Sequence, residues 1–198
     1  MPFVRRPPPV SGSSTVPPAS LAEGTSDERW SAVRVAAAQP GGVARLAEAL
    51  ERERDPRVLQ AIFTGLASAA TQESVAAVIP YIRSEDASLR AAALDALRAM
   101  PEASGPHVAH LLADENADVR LLSCELVRDF PEEEANRLLS DLLNRETEKN
   151  VAGAAIEVLA EIGRPQALPA LAACAERFAG DPFLAFSIKV AIDRIGDP

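Results

Sequence analysis

Two histidines, two cysteines and one run of three glutamates are the residues of this 198-residue chain whose types and spacing could do chemistry. His107 and His110 stand at i and i+3 in PHVAHLL, so one helical face could present both to a metal, with Asp114 a turn further on. Two imidazoles and one carboxylate are a thin ligand set, and the HExxH pattern that adds a general base is missing. The expectation is two solvated histidines and no metal. Cys124 and Cys174 lie fifty positions apart with no CxxC, which is neither a disulfide framework nor a zinc site. A cysteine nucleophile needs a base within reach. Cys124 falls in an apolar column and reads as core; Cys174, flanked by Ala173 and Ala175, reads as partly exposed but without a base. Glu132-Glu133-Glu134 follow Phe130-Pro131 and fit the first turn of a helix, where negative charge offsets the helix dipole. No Gly-rich loop cradles a phosphate. The residues therefore predict no catalytic set and no cofactor.

Charge and composition narrow the partners. The formal charge is −9, which opposes a phosphate backbone, so nucleic acid is not expected as a partner. The basic residues are 18 Arg and two Lys (Lys149 and Lys189), with no polybasic run for a membrane surface. No apolar span approaches transmembrane length, and no apolar stretch follows Arg5-Arg6 as a secretory signal would require. A soluble, cytoplasmic protein is the expectation. Hydrophobic residues make up 47% and aromatics 4%, so small aliphatic side chains must fill the interior, which suits closely packed helices.

Residues 1–24 hold six of the sixteen prolines and a Gly/Ser-rich stretch, and too little apolar area to offset the entropy of ordering. They are expected to form a disordered or polyproline-like leader. Within it, Phe3, Arg5 and Arg6 ahead of Pro7-Pro8-Pro9 could form a short docking motif.

From residue 25 to 198 the chain repeats. Apolar residues that follow a polar or Asp-Pro start form the series Trp30, Val58, Leu89, Val119, Val151, Leu184, at steps of 28, 31, 30, 32 and 33. Twelve residues on from each lie Gly42, Ala70, Pro101, Pro131, Gly163 and Gly196, mostly residues that end helices. Five on lie Val35, Phe63, Leu94, Cys124, Ile156 and Lys189, read as a stacking column that stops at the lysine. A second apolar series runs between them in VARLAEAL, VAAVIPYI, VAHLLADE, ANRLLSDLL and LPALAACA. Start signals are Thr25 with Glu28, Asp55-Pro56, Thr71, Asp86, Ser104 or Gly105, Thr147 and Asp181-Pro182. The pattern predicts an all-α solenoid of about five helical hairpins, with residues 182–195 as a C-terminal capping helix. Trp30 is expected to close the N-terminal end, and Arg90 and Arg120 to tie neighbouring repeats.

The run VLAEIGRPQALPAL, with a Gly ending one helix and a Pro inside the next, resembles the short HEAT-like repeats of phycobilisome-lyase-related proteins. The resemblance covers about residues 25–198. It implies stacked hairpins whose second helices line a concave face that carries protein partners. It also keeps open a maturation or chromophore-attachment helper. HEAT-repeat hydroxylases carry His-Glu dipeptides that this sequence lacks. Aligning the second helices on Val43, Val75, Val108, Ala135 and Leu168 brings two ridges to the surface. One carries Arg45, Ala77, His110, Arg137 and Ala170; the other carries Ala49, Tyr81, Asp114, Asp141 and Cys174. Tyr and Arg are enriched where binding energy concentrates. Arg45, Tyr81, His110, Arg137 and Asp141 are therefore the expected binding stripe of a non-catalytic adaptor whose partner is another protein.

Overall fold

Side chains at the helix starts set the register of the whole molecule. The computed structural model describes residues 20–196. Phe3, Arg5 and Arg6 lie outside the described residues. The first helices of the hairpins are α1 (Ser26–Ala37), α3 (Pro56–Ala69), α5 (Ala87–Arg98), α7 (Ala117–Leu126) and α9 (Lys149–Ile162), followed by α11 (Pro182–Gly196). The second helices are α2 (Gly42–Arg52), α4 (Gln72–Val78), α6 (Pro101–Leu111), α8 (Glu132–Arg145) and α10 (Leu168–Arg177). Among the described residues there is no strand, and the all-α solenoid of five hairpins plus one helix is what the chain forms.

The N-caps of the first-helix row are Thr25, Asp55, Asp86, Asn116 and Glu148, and Asp181 plays the same part for α11. Thr25 and Glu28 close a capping box, and Asp55 accepts from the amides of Arg57 and Val58. These caps recur at steps of 30, 31, 30, 32 and 33. The third residue after each is Glu28, Val58, Leu89, Val119, Val151 or Leu184, so the first unit begins at Glu28 and not at Trp30. That two-residue shift explains why Val35, expected in the stacking column, is 50% exposed. It also moves Trp30 off the N-terminal end. Its ring faces the next repeat, between the guanidinium carbons of Arg34 and Arg57 at 5.2 and 5.3 Å, a double cation–π contact. At the N-terminal end Leu21 packs half-buried against the core instead.

Three other helix starts differ from expectation. Helix α6 begins at Pro101, whose fixed φ suits the first helical position, and Ser104 is buried inside the helix with its Oγ donating to Leu97 O at 3.1 Å. Thr147 is displaced as a cap by Glu148, because Glu146 Oε1 already holds both of their amides at 2.9 Å. Gly42 opens α2, with Gly41 before it at φ 70, where glycine is favoured. In VAAVIPYI the α-helix stops at Val78 and continues as a 3₁₀ turn over Ile79–Arg83. Pro80 has no amide to donate and crowds the carbonyl one turn back.

The first helices stack in a row, α1 on α3 through to α9 on α11, and the second helices fill the layer beside them. A continuous core runs the length of the chain, from Val33, Leu46 and Phe63 to Leu159, Leu171 and Ile188. Gly65 on α3 lets α1 and α2 approach: a Cβ there would stand 3.0 Å from Leu46 Cδ1 and 3.4 Å from Ala37 Cβ. Asp55 adds a bond across repeats, because Ser26 Oγ donates to its Oδ2 at 2.6 Å. Asp55→Ala is expected to destabilise the chain by about 1 kcal/mol, measured by chemical unfolding, while Asp55→Asn should retain most of the cap.

Candidate functional site

The residues of the expected stripe sit on four successive second-helix segments: Arg45 on α2, Tyr81 in the 3₁₀ turn after α4, His110 on α6, and Arg137 with Asp141 on α8. Tyr81, His110 and Asp141 stand 5, 6 and 7 residues before the next N-cap, whereas Arg45 and Arg137 stand 10 and 11 before theirs. Arg45 and Arg137 are three stacking steps apart, on the order of 25–30 Å at helix spacings of 8–10 Å.

Their local environments differ as well. Arg45 folds back to donate to Gln39 Oε1 at 2.8 Å. Tyr81 is half-buried, its ring edge-on to Phe63 with centroids 5.6 Å apart at 88°. Burial, with Glu51 nearby, raises the Tyr81 pKa, and Arg54 opposes the rise. His110 is exposed on α6, while His107 Nε2 lies 3.0 Å from Gln72 Oε1. Arg137 and Asp141 do come together, 3.5 Å apart, both exposed. They border a cleft of about 1100 Å³ that also holds the Arg164–Glu132 pair.

The ridges end before α10. Ala170 and Cys174 were placed on the surface by alignment on Leu168, and both are buried. A 3₁₀ turn over Pro165–Ala167 feeds α10 and rotates it so that Ala167, Ala170, Leu171 and Cys174 face the core. Burial raises the Cys174 thiol pKa, and burial pushes that of Cys124 up to about 12, so neither is a ready thiolate. Among the described residues no three His, Cys, Asp or Glu side chains gather as a metal would need. No helix of the described residues is long and apolar enough to cross a membrane.

Arginines near the start of a first helix hold a buried Glu at the end of the same hairpin. Arg120 donates to Glu146 through Nε at 2.8 Å and Nη2 at 2.9 Å, and to the carbonyls of Asp114 and Glu115. Arg29 repeats the device on Glu53, through Nε at 2.7 Å and Nη2 at 3.1 Å. Arg90 occupies the same helical position but reaches only the carbonyls of Ser84 and Glu85, in the turn before its own helix. Both arginines expected to join repeats reach the carbonyls of the turn that ends the preceding hairpin, and Arg120 also holds Glu146 at the end of its own hairpin.

Among the described residues, two exposed phenylalanines lie on the other face, where the first helices stack. Phe183 and Phe186 on α11 are 71% and 66% exposed. They form one wall of a groove of about 790 Å³ that crosses α9 and reaches Leu121 and Glu125 on α7. Its floor is made of small residues, Gly153, Ala154 and Ala160. A Cβ on Gly153 would meet Leu184 Cδ2 at 3.6 Å, an ordinary van der Waals contact between α9 and α11. Glu157 and Glu161 line the far side, and Arg128 reaches Glu125 and Glu161 from behind. The sequence carried a signal for this wall in DPFLAF, with two phenylalanines in a chain holding six. Reading α11 only as a cap, and seeking contacts only on second helices, passed over it.

Comparison with known proteins places this architecture. Residues 43–120 and 105–181 match the family described as HEAT repeats. A search among curated proteins found no match. Among solved structures, the chain is similar to human deoxyhypusine hydroxylase in complex with glycerol, at 16% identity over 89% of this chain and 93% of that one, with a TM-score of 0.45. It is similar to the complex of CpcE and CpcF of phycocyanin lyase from Nostoc, at 16% identity over 98% and 100%, with a TM-score of 0.40. A designed armadillo repeat protein in complex with the peptide (KR)4 is 15% identical over 85% and 93%, with a TM-score of 0.45. None of these three likenesses bears on function.

Proposed function

The chain belongs to the HEAT-repeat family, and from that premise we propose that it is a non-catalytic scaffold that grips another protein in the groove between α9 and α11. The observation that carries this reading is the pair Phe183 and Phe186, largely exposed beside a floor of glycine and alanine. Leaving two phenyl rings in water forgoes about 1.5–3 kcal/mol of burial for each, so a surface that keeps them has a use for them in contact. Aromatic anchors set beside a concave floor are what binding hot spots are made of. The second-helix face, with Tyr81, His110, Arg137 and Asp141, is a second contact area for a large partner. Two free, buried thiols suit a reducing compartment such as the cytoplasm.

Crosslinked affinity capture from the native cell with the full chain tests the reading. A Phe186→Asp substitution is expected to lower recovery of the partner at least tenfold while circular dichroism stays unchanged. A Tyr81→Ala/Arg137→Ala double variant should lower it by less. Undiminished recovery with Phe186→Asp would remove the groove from the account.

A further inference from the structure

A second groove, of about 560 Å³, lies between α1 and α3, at the opposite end of the first-helix row from Phe183 and Phe186. Its apolar lining is Ala37, Ala61, Gly65 and the half-buried ring of Trp30. Its charged lining is Arg34 and Arg57, both exposed, with no carboxylate. Arg57 Nη1 donates to Asp27 at 2.6 Å, which leaves its other N–H groups to spare. Arg34 makes neither a hydrogen bond nor an ion pair among the described residues, and its guanidinium lies over the indole instead. The hydroxyls of Thr64 and Ser68 donate to carbonyls one turn back on α3. The donors left in the lining are therefore the two guanidiniums and the Gln60 amide.

Charge sets this groove apart from the rest of the chain. Residues 58–198 hold 22 acidic residues against 12 basic ones, whereas residues 25–57 hold six of each. A cationic lining without a carboxylate favours an anion, and the apolar lining beside it favours one that carries an apolar side chain. Both guanidinium carbons lie within 5.3 Å of the Trp30 ring centroid, so they stand at most about 10.5 Å apart. Two acidic residues at i and i+2 of an extended peptide point the same way about 7 Å apart, and their side-chain torsions cover the remainder. A nucleic acid would have to run on over the acidic repeats that follow, which repel phosphates. A short peptide would not.

We propose that the α1–α3 groove binds an acidic peptide segment, with two carboxylates at i and i+2 beside an apolar residue. The carboxylates accept from Arg34 and from the N–H groups of Arg57 that Asp27 does not hold. The apolar side chain lies over Ala37, Ala61 and Gly65. Trp30 holds both guanidiniums against its ring, which lowers the side-chain entropy they lose on binding. This site is separate from the α9–α11 groove and does not depend on it.

Trp30 is the only tryptophan of the chain, so its emission reports on this groove. Fluorescence anisotropy of a fluorescein-labelled peptide, Leu-Ser-Glu-Ser-Glu-Ser-Leu, measures binding to the full chain, and Trp30 emission with the unlabelled peptide locates it. The wild type is expected to bind saturably at low salt, with the emission changing in step and the affinity falling as salt is added. Arg34→Ala should weaken binding about tenfold, the loss of one charge-assisted hydrogen bond. Arg34→Lys should weaken it by less, because an ammonium keeps the charge and loses the bidentate fork. No rise in anisotropy at millimolar protein overturns the inference. Binding that Arg34→Ala leaves unchanged places the peptide elsewhere and also overturns it. Equal binding of Leu-Ser-Lys-Ser-Lys-Ser-Leu removes the charge argument. Displacement of the peptide by equimolar inorganic phosphate, or tighter binding of an oligodeoxythymidylate, overturns the inference in favour of a bare anion or a nucleic acid.

Discussion

Glu146→Ala should destabilise the chain by about 3–5 kcal/mol, the loss expected when one partner of a buried ion pair is removed. The Glu146 carboxylate is buried and accepts four hydrogen bonds, two from Arg120 and one each from the amides of Thr147 and Glu148. Arg120 in turn holds the carbonyls of Asp114 and Glu115. One node therefore joins the turn before α7 to the turn before α9, and truncation strands a guanidinium and two amides where little water reaches. Glu146→Gln keeps an acceptor and should cost less. The pH dependence has a definite sign. Burial raises the Glu146 pKa, but the Arg120 hydrogen bond and the two amides outweigh it, and the net shift is downward. A lowered folded pKa means that the stabilisation is full above the ordinary glutamate value and is lost as pH falls through the lowered one. Urea unfolding near neutral pH should show the whole gap between wild type and Glu146→Ala. Repeated in increasingly acid buffer, the gap should narrow. A gap that stays constant would mean the carboxylate charge contributes nothing.

Phe63→Ala should cost a similar amount, about 3–5 kcal/mol, by opening a cavity where α3 meets its neighbours. Phe63 is among the largest fully buried side chains and packs edge-on against Tyr81. The substitution has a second readout, because the chain contains a single tyrosine. Burial is the main cause of the raised Tyr81 pKa. Removing the ring that covers it should bring the hydroxyl back toward the ordinary value near 10. An ultraviolet absorbance titration of the variant reads that shift directly. A Tyr81 titration unchanged from wild type would show that Phe63 does not shield it.

The repeat was legible because each hairpin must bury its apolar face on the next, which writes the same spacing into the sequence many times. Where the reading slipped, local chemistry held the better signal. Trp30 drew the first unit into a false register, although Thr25 and Glu28 already marked the true start as a capping box. Pro101 and Pro131 read as helix stops, and each also stands at the start of the following helix. The phase of α10 was lost because a 3₁₀ turn precedes it, and a periodic pattern cannot register a change of twist. The Glu146 node was hidden for another reason. Its partners lie 26 residues apart, and nothing in either local stretch announces a buried carboxylate. Surface sites are the least legible. Phe183 and Phe186 satisfy the same apolar pattern as core residues, and only the stacked helices show which side of α11 is left open.

The groove between α9 and α11 is tested most directly by a photo-crosslinker placed in it. Benzoylphenylalanine at position 186 keeps an aromatic side chain at the wall, and the same group at Lys189, exposed at a position outside the groove lining, serves as the control. Irradiation in the native cell followed by mass spectrometry should yield a discrete protein adduct from position 186 and none from position 189. No adduct at 186, or the same diffuse products from both positions, would contradict the groove as the binding site.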